Sequence, residues 1–118
     1  MNYLQLELGG QKRGLKFDIG TLKVLRDQFD IDPFTFRTES NSLTELLPYA
    51  TKIIYSAALR NLRVKKEPED ITYEQFESWV DELDIPTISL AVSCYNGIFV
   101  TKSSSANGEV GKDTQVNI

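Results

Sequence analysis

The chain has 118 residues, enough for one hydrophobic core and little more. Hydrophobic residues make up 41% and charged residues 25%, the balance of a folded domain rather than a disordered chain. With 17 acids against 13 bases, no histidine and Cys94 as the one cysteine, the composition works against bulk attraction to nucleic acid or anionic membranes. It also excludes an internal disulfide and removes the usual soft-metal ligand sets.

No apolar run approaches the roughly 20 residues that span a bilayer. The opening MNYLQLELGG has neither a basic start nor an apolar signal core, which points to a cytoplasmic protein. Within it, Tyr3, Leu4, Leu6 and Leu8 alternate partly with polar residues, and Leu15 and Phe17 alternate with Lys16 and Asp18. The pattern predicts a β-hairpin over 3–18, its strands flanking a loop from Gly9 to Gly14, with leucines and Phe17 covering one side of a helical core. Its unpaired edge is a possible seat for a partner strand, although most edges are simply blunted by charge and twist.

Asp18 is placed to cap a helix over 19–30, with Ile19, Leu22, Leu25 and Phe29 as its apolar face and Val24 flanking it. Asp32-Pro33 reads as the start of a short turn carrying Phe34 and Phe36 inward, and Arg37 to Ser42 as polar loop. Ser42 and Glu45 form a capping-box pattern ahead of the longest helix, over 43–63. Its apolar positions are Leu43, Leu46, Leu47, Ala50, Ile53, Ile54, Ala57, Ala58 and Leu62, a broad stripe on the element the others are expected to pack around. Pro48 interrupts it, removing the amide that would bond back to Thr44, so a kink or a restarted helix is expected there.

A charged connector with Pro68 follows. Thr72 and Gln75 then form a second capping box, with Ile71 as a hydrophobic staple, for a helix over 72–83 whose buried face is Tyr73, Phe76, Val80 and Leu83. Asp84 caps the last helix, over 86–99, with Pro86 in its first turn and Ile88, Ala91, Val92, Tyr95, Ile98 and Phe99 as its stripe. The expected fold is therefore mainly α with a small N-terminal β-hairpin (α+β), about four helices forming a single domain over 1–101. Residues 102–118, rich in serine, glycine and asparagine, read as a flexible tail.

Catalytic chemistry finds little footing. The Gly9 to Gly14 stretch lacks phosphate-loop spacing, and Cys94 sits in an apolar helix without a basic neighbour or a second ligand. No catalytic residue, metal ligand or cofactor is expected. The charge pattern says more: Arg60, Arg63, Lys65 and Lys66 form a compact basic group, whereas Glu67 to Asp84 contains eight acids and no base. Bases at one helix end and acids at the next helix start also suit the helix dipoles, so solubility alone accounts for much of this. As a binding surface, the candidate protein contacts are Tyr55, which falls off the main stripe and reads as an exposed aromatic anchor, with Arg60, Arg63, Lys65, Lys66, Glu74, Glu77 and Asp81.

Several stretches resemble the tail assembly chaperones of long-tailed bacteriophages and prophages. They are Leu15-Lys16-Phe17-Asp18-Ile19-Gly20-Thr21-Leu22-Lys23, then Ile53-Ile54-Tyr55-Ser56-Ala57-Ala58-Leu59, then Ile71 to Leu83 with Trp79 near its end. The resemblance implies a non-enzymatic protein that keeps the long tape measure protein soluble, helps recruit tail tube subunits, and works in the host cytoplasm while being absent from the finished virion. It also implies that members commonly have a second, frameshifted form extended at the C-terminus. Two other classes remain open on the residues alone: a small structural or adaptor protein acting through self-association, and, less favoured by charge, a nucleic-acid-binding regulator.

Overall fold

The computed structural model describes residues 2–33 and 43–99. Chain reversal begins at Gly9 and Gly10, whose φ angles of 65° and 84° belong to the left-handed region that a two-residue hairpin turn requires and that side chains resist. The turn joins β1 (Tyr3–Leu8) to β2 (Gln11–Lys16) in antiparallel register, Leu4 opposite Leu15 and Leu8 opposite Gln11. The expected six-residue loop is thus a two-residue turn. Gln11, Lys12 and Arg13 are strand residues whose hydrophilic character hid the alternation. Leu6, Leu8, Leu15 and Phe17 are buried, so one face of the hairpin lies on the helices as expected.

Helix α1 (Ile19–Phe29) starts at a capping box in which the Asp18 carboxylate accepts from the Thr21 amide and the Thr21 hydroxyl accepts from the Asp18 amide. It ends at Asp30, in the left-handed conformation at φ 54°, whose amide donates to the Arg26 carbonyl. Its inward face is Leu22, Val24 and Leu25, whereas Ile19 is exposed. Of the predicted face only Ile19 turns to water; Phe29 also packs on the core, and α1 lies against α2.

Helix α2 (Leu43–Lys65) runs through Pro48 as one helix, so the proline lies inside it rather than splitting it. It extends past the predicted end and closes with Lys66 at φ 57°. There the Lys66 amide donates to the Arg63 carbonyl and the Glu67 amide to the Leu62 carbonyl, the paired bonds of a Schellman stop. Ala50, Ile53, Ile54, Tyr55, Ser56, Ala57, Ala58 and Leu59 are all buried. This near-continuous burial is that of a helix covered on several sides, and α2 packs against β2, α1, α3 and α4.

Helix α3 (Tyr73–Asp81) has the predicted Thr72–Gln75 capping box, with the Gln75 side chain accepting from the Thr72 amide at 2.9 Å. Its buried positions are Phe76 and Val80, behind a buried Ile71. Helix α4 (Ile85–Gly97) starts at Asp84, which accepts from the Thr87 amide at 2.9 Å. It buries Ile88, Ala91, Val92, Cys94 and Tyr95, and Ile98 and Phe99 follow as a half-buried turn. The result is mainly α-helical with a small N-terminal hairpin, and α2 is its centre. The Phe34–Phe36 turn, the loop to Ser42, the Ser42–Glu45 capping box and the 102–118 tail lie outside the described residues.

Candidate functional site

Three of the predicted surface residues are engaged within the fold. Tyr55 is 7% exposed, not an external anchor. Its ring meets Tyr73 edge-on at 5.7 Å and Phe76 at 5.2 Å, with Phe29 at 6.0 Å, so α1 and α3 close over it from both flanks of α2. Periodicity along α2 alone could not reveal those flanking helices. Burial, with Glu69 close by, pushes its phenol above the ordinary value.

Arg60 grips Asp18 with a two-pronged pair, Nε to Oδ1 at 2.8 Å and Nη2 to Oδ2 at 3.0 Å. The guanidinium lies over Gly20, where an added Cβ would stand 2.2 Å from Nε, so the glycine in the first turn of α1 makes room for the clamp. Burial acts to raise the Asp18 carboxyl, but the hydrogen bonds and charge of Arg60 outweigh it and hold the group below its usual range. Arg63 makes a similar pair with Glu69 at 3.0 and 3.2 Å, bracing the end of α2 against the connector to α3. Lys65 and Lys66 remain exposed at the helix end, and Glu74, Glu77 and Asp81 share the exposed side of α3. The basic and acidic groups are therefore adjacent, but two arginines of the basic group serve the fold.

The hairpin tip is fixed by Trp79. A Cβ on Gly9 would fall 2.4 Å from the indole, so the ring lies directly against the turn backbone. On the other side Arg13 donates from Nε to the Leu8 carbonyl at 3.0 Å while its guanidinium carbon stands 4.6 Å from the Trp79 ring centre. The single tryptophan thereby joins α3 to both strands of the hairpin.

A cleft of about 450 Å³ opens between the outward side of the hairpin, the last turns of α2 and the connector into α3. Tyr3, Lys12 and Gly14 line it from the hairpin, Asn61 and Lys65 from α2, and Glu67 and Asp70 from the connector. Tyr3 and Asn61 close together over Gly14, where a Cβ would meet the Tyr3 hydroxyl at 2.5 Å and Asn61 Nδ2 at 2.6 Å. Asn61 is only 6% exposed. Of the predicted contacts, the cleft brings in Lys65 alone. Asn61 was legible only as a polar residue set between Ala58 and Leu62 on an apolar stripe.

Among the described residues no group of three or more histidine, cysteine or acidic side chains is placed to hold a metal ion. Burial raises the Cys94 thiol, which lowers its thiolate fraction at neutral pH. Among the described residues no helix is long and apolar enough to cross a membrane. Comparison of the chain with protein-family models, with curated proteins and with solved structures gave no match.

Proposed function

We propose that this chain is a non-enzymatic tail assembly chaperone of a long-tailed bacteriophage or prophage. In this reading it binds the tape measure protein, keeps it in solution in the host cytoplasm, and assists assembly of the tail tube before being left out of the virion. The observation that carries the reading is the resemblance over residues 15–23, 53–59 and 71–83. These stretches fall on the junction of β2 with α1, on the middle of α2 and on α3, elements that pack on one another around Tyr55.

The client contacts of this reading are the polar surfaces that remain free to meet a partner. Lys65 and Lys66 mark one end, and Glu74, Glu77 and Asp81 mark the exposed side of α3. Adjacent patches of opposite sign orient a partner and favour rapid exchange, which suits a transient escort better than a permanent subunit. A long client with repeated segments binds several copies, and its local concentration raises the avidity of each.

A pull-down with fragments of the tape measure protein tests the proposal. Binding at micromolar concentration, weakened by salt and by reversing Glu74, Glu77 and Asp81 to lysine, is the expected result. Fragments that pass over the full chain without retention would remove the proposal, and a fixed stoichiometry in purified tails would favour a structural subunit instead.

A further inference from the structure

We infer that the open edge of β1 pairs with β1 of a second copy of the chain, antiparallel about a two-fold axis at Gln5. The register of the hairpin decides which main-chain groups are spare. Leu8 and Gln11 flank the two-residue turn and form a hydrogen-bonded pair, so the alternation of an antiparallel ladder makes Leu6 with Arg13 and Leu4 with Leu15 the next ones. The Phe17 amide donates to the Asn2 carbonyl at 2.8 Å and continues that series. Tyr3, Gln5 and Glu7 therefore turn their N–H and C=O groups away from β2, and among the described residues no third strand meets them.

The far edge of the sheet is guarded and this one is not. On β2, Lys12 and Lys16 put positive charge at the edge, the Lys16 carbonyl accepts from the Thr21 hydroxyl, and α2 packs against the strand. β1 has no lysine, no proline and no bulge in its register. An edge of that kind is a template for another strand.

What selects a second copy is that β1 is its own complement. Rotation about Gln5 sets Tyr3 opposite Glu7 of the second copy and Gln5 opposite its own equivalent, all as hydrogen-bonded pairs. Each spare N–H then finds a spare C=O, and none is left over. The two Gln5 amides, each donor and acceptor together, bond one another on the exposed face. On the inner face Leu4, half-buried in the single chain, comes opposite Leu6 of the second copy and extends the leucine row. No like charges stand opposite one another in this register. Helix α4, which also packs on β1, has no charged residue from Ile85 to Gly97, so it sets no charge against its equivalent. The guarded β2 edges lie at the outside of the joined sheet, which closes the assembly at two copies.

Light scattering on the full chain over rising concentration, with amide exchange followed by NMR, tests the pairing. The expected result is a monomer that becomes a dimer, with exchange at Tyr3, Gln5 and Glu7 slowed about tenfold or more while Lys12 and Gly14 are unchanged. Gln5→Glu sets two carboxylates opposite each other, with Glu7 diagonal to both. It weakens the dimer about tenfold or more, while the dilute monomer keeps its melting temperature. Mixing Gln5→Glu with Gln5→Lys puts opposite charges across the axis and restores pairing between the two variants. A chain that stays monomeric at every concentration, a dimer that Gln5→Glu leaves unchanged, or a dimer whose three edge amides exchange as fast as in the monomer would each overturn the inference. Tape measure binding is read separately, since Gln5 lies outside the client surface of Lys65, Lys66, Glu74, Glu77 and Asp81.

Discussion

Replacing Asp18 separates two contributions that one carboxylate makes at the junction of the hairpin, α1 and α2. Asparagine keeps the cap on α1, since its carbonyl accepts from the Thr21 amide as well as a carboxylate does, but it takes away the anion that Arg60 grips at 2.8 and 3.0 Å. The side chains of the pair are 28% and 32% exposed, between a surface pair and a buried one. Its loss in Asp18→Asn is therefore set at about 1 kcal/mol, near the top of the range for exposed pairs and below that for buried charged hydrogen bonds. Alanine also removes the cap, adding about 1 kcal/mol. At about 4 °C per kcal/mol for a domain of this size, the melting temperature falls about 4 °C in Asp18→Asn and about 8 °C in Asp18→Ala.

Urea unfolding followed by Trp79 fluorescence gives the same ranking in free energy. The pH dependence fixes the sign. The folded Asp18 carboxyl titrates below its ordinary 3.8, so its stabilisation is present above that value and is lost as pH falls through the lower folded one. The gap between wild type and Asp18→Asn is accordingly open at neutral pH and closes below about pH 4, the ordinary carboxylate range. An Asp18→Asn protein as stable as wild type at neutral pH, or a gap that widens in acid, would refute the clamp.

Other expectations follow from the same contacts. Gly9→Ala should destabilise by about 2 kcal/mol or more, from positive φ and collision with the Trp79 ring, and Gly10→Ala by only the 1–2 kcal/mol of the left-handed backbone, because the space beside Gly10 is open. Comparing their urea midpoints checks the difference. Tyr55→Ala should cost about 3–5 kcal/mol, as for a buried aromatic, where an exposed anchor would cost almost nothing. Chemical denaturation decides between them. Pro48→Ala restores an amide inside α2 and should stabilise by about 1–3 kcal/mol, read as a higher melting temperature without change of helical circular dichroism.

Helix starts were the most legible part of the fold, because Asp18, Thr72 with Gln75, and Asp84 are local signals whose partners lie within three residues. The central place of α2 was legible for the same kind of reason, since its apolar stripe is wide. What escaped depends on distant partners. Arg13 reads as a loop residue until Trp79 arrives beneath its guanidinium, and with it the second strand came out too short. Gly20 reads as a flaw in α1 until Arg60, forty residues on, occupies the space it leaves. Tyr55 reads as exposed because a helical wheel contains no second and third helix. At the candidate site, Lys65 was singled out by charge and lines the cleft, but the cleft is made by the hairpin folding back on the end of α2, and no local pattern in the sequence announces that meeting.

Co-expression of the full chain with the tape measure protein, followed by high-speed sedimentation, measures directly whether the proposed client is kept in the supernatant. If the chain is the proposed chaperone, the tape measure protein pellets when expressed alone, stays in solution as a complex with the wild-type chain, and returns to the pellet when Glu74, Glu77 and Asp81 are reversed to lysine. A client that pellets equally with and without the wild-type chain would contradict it.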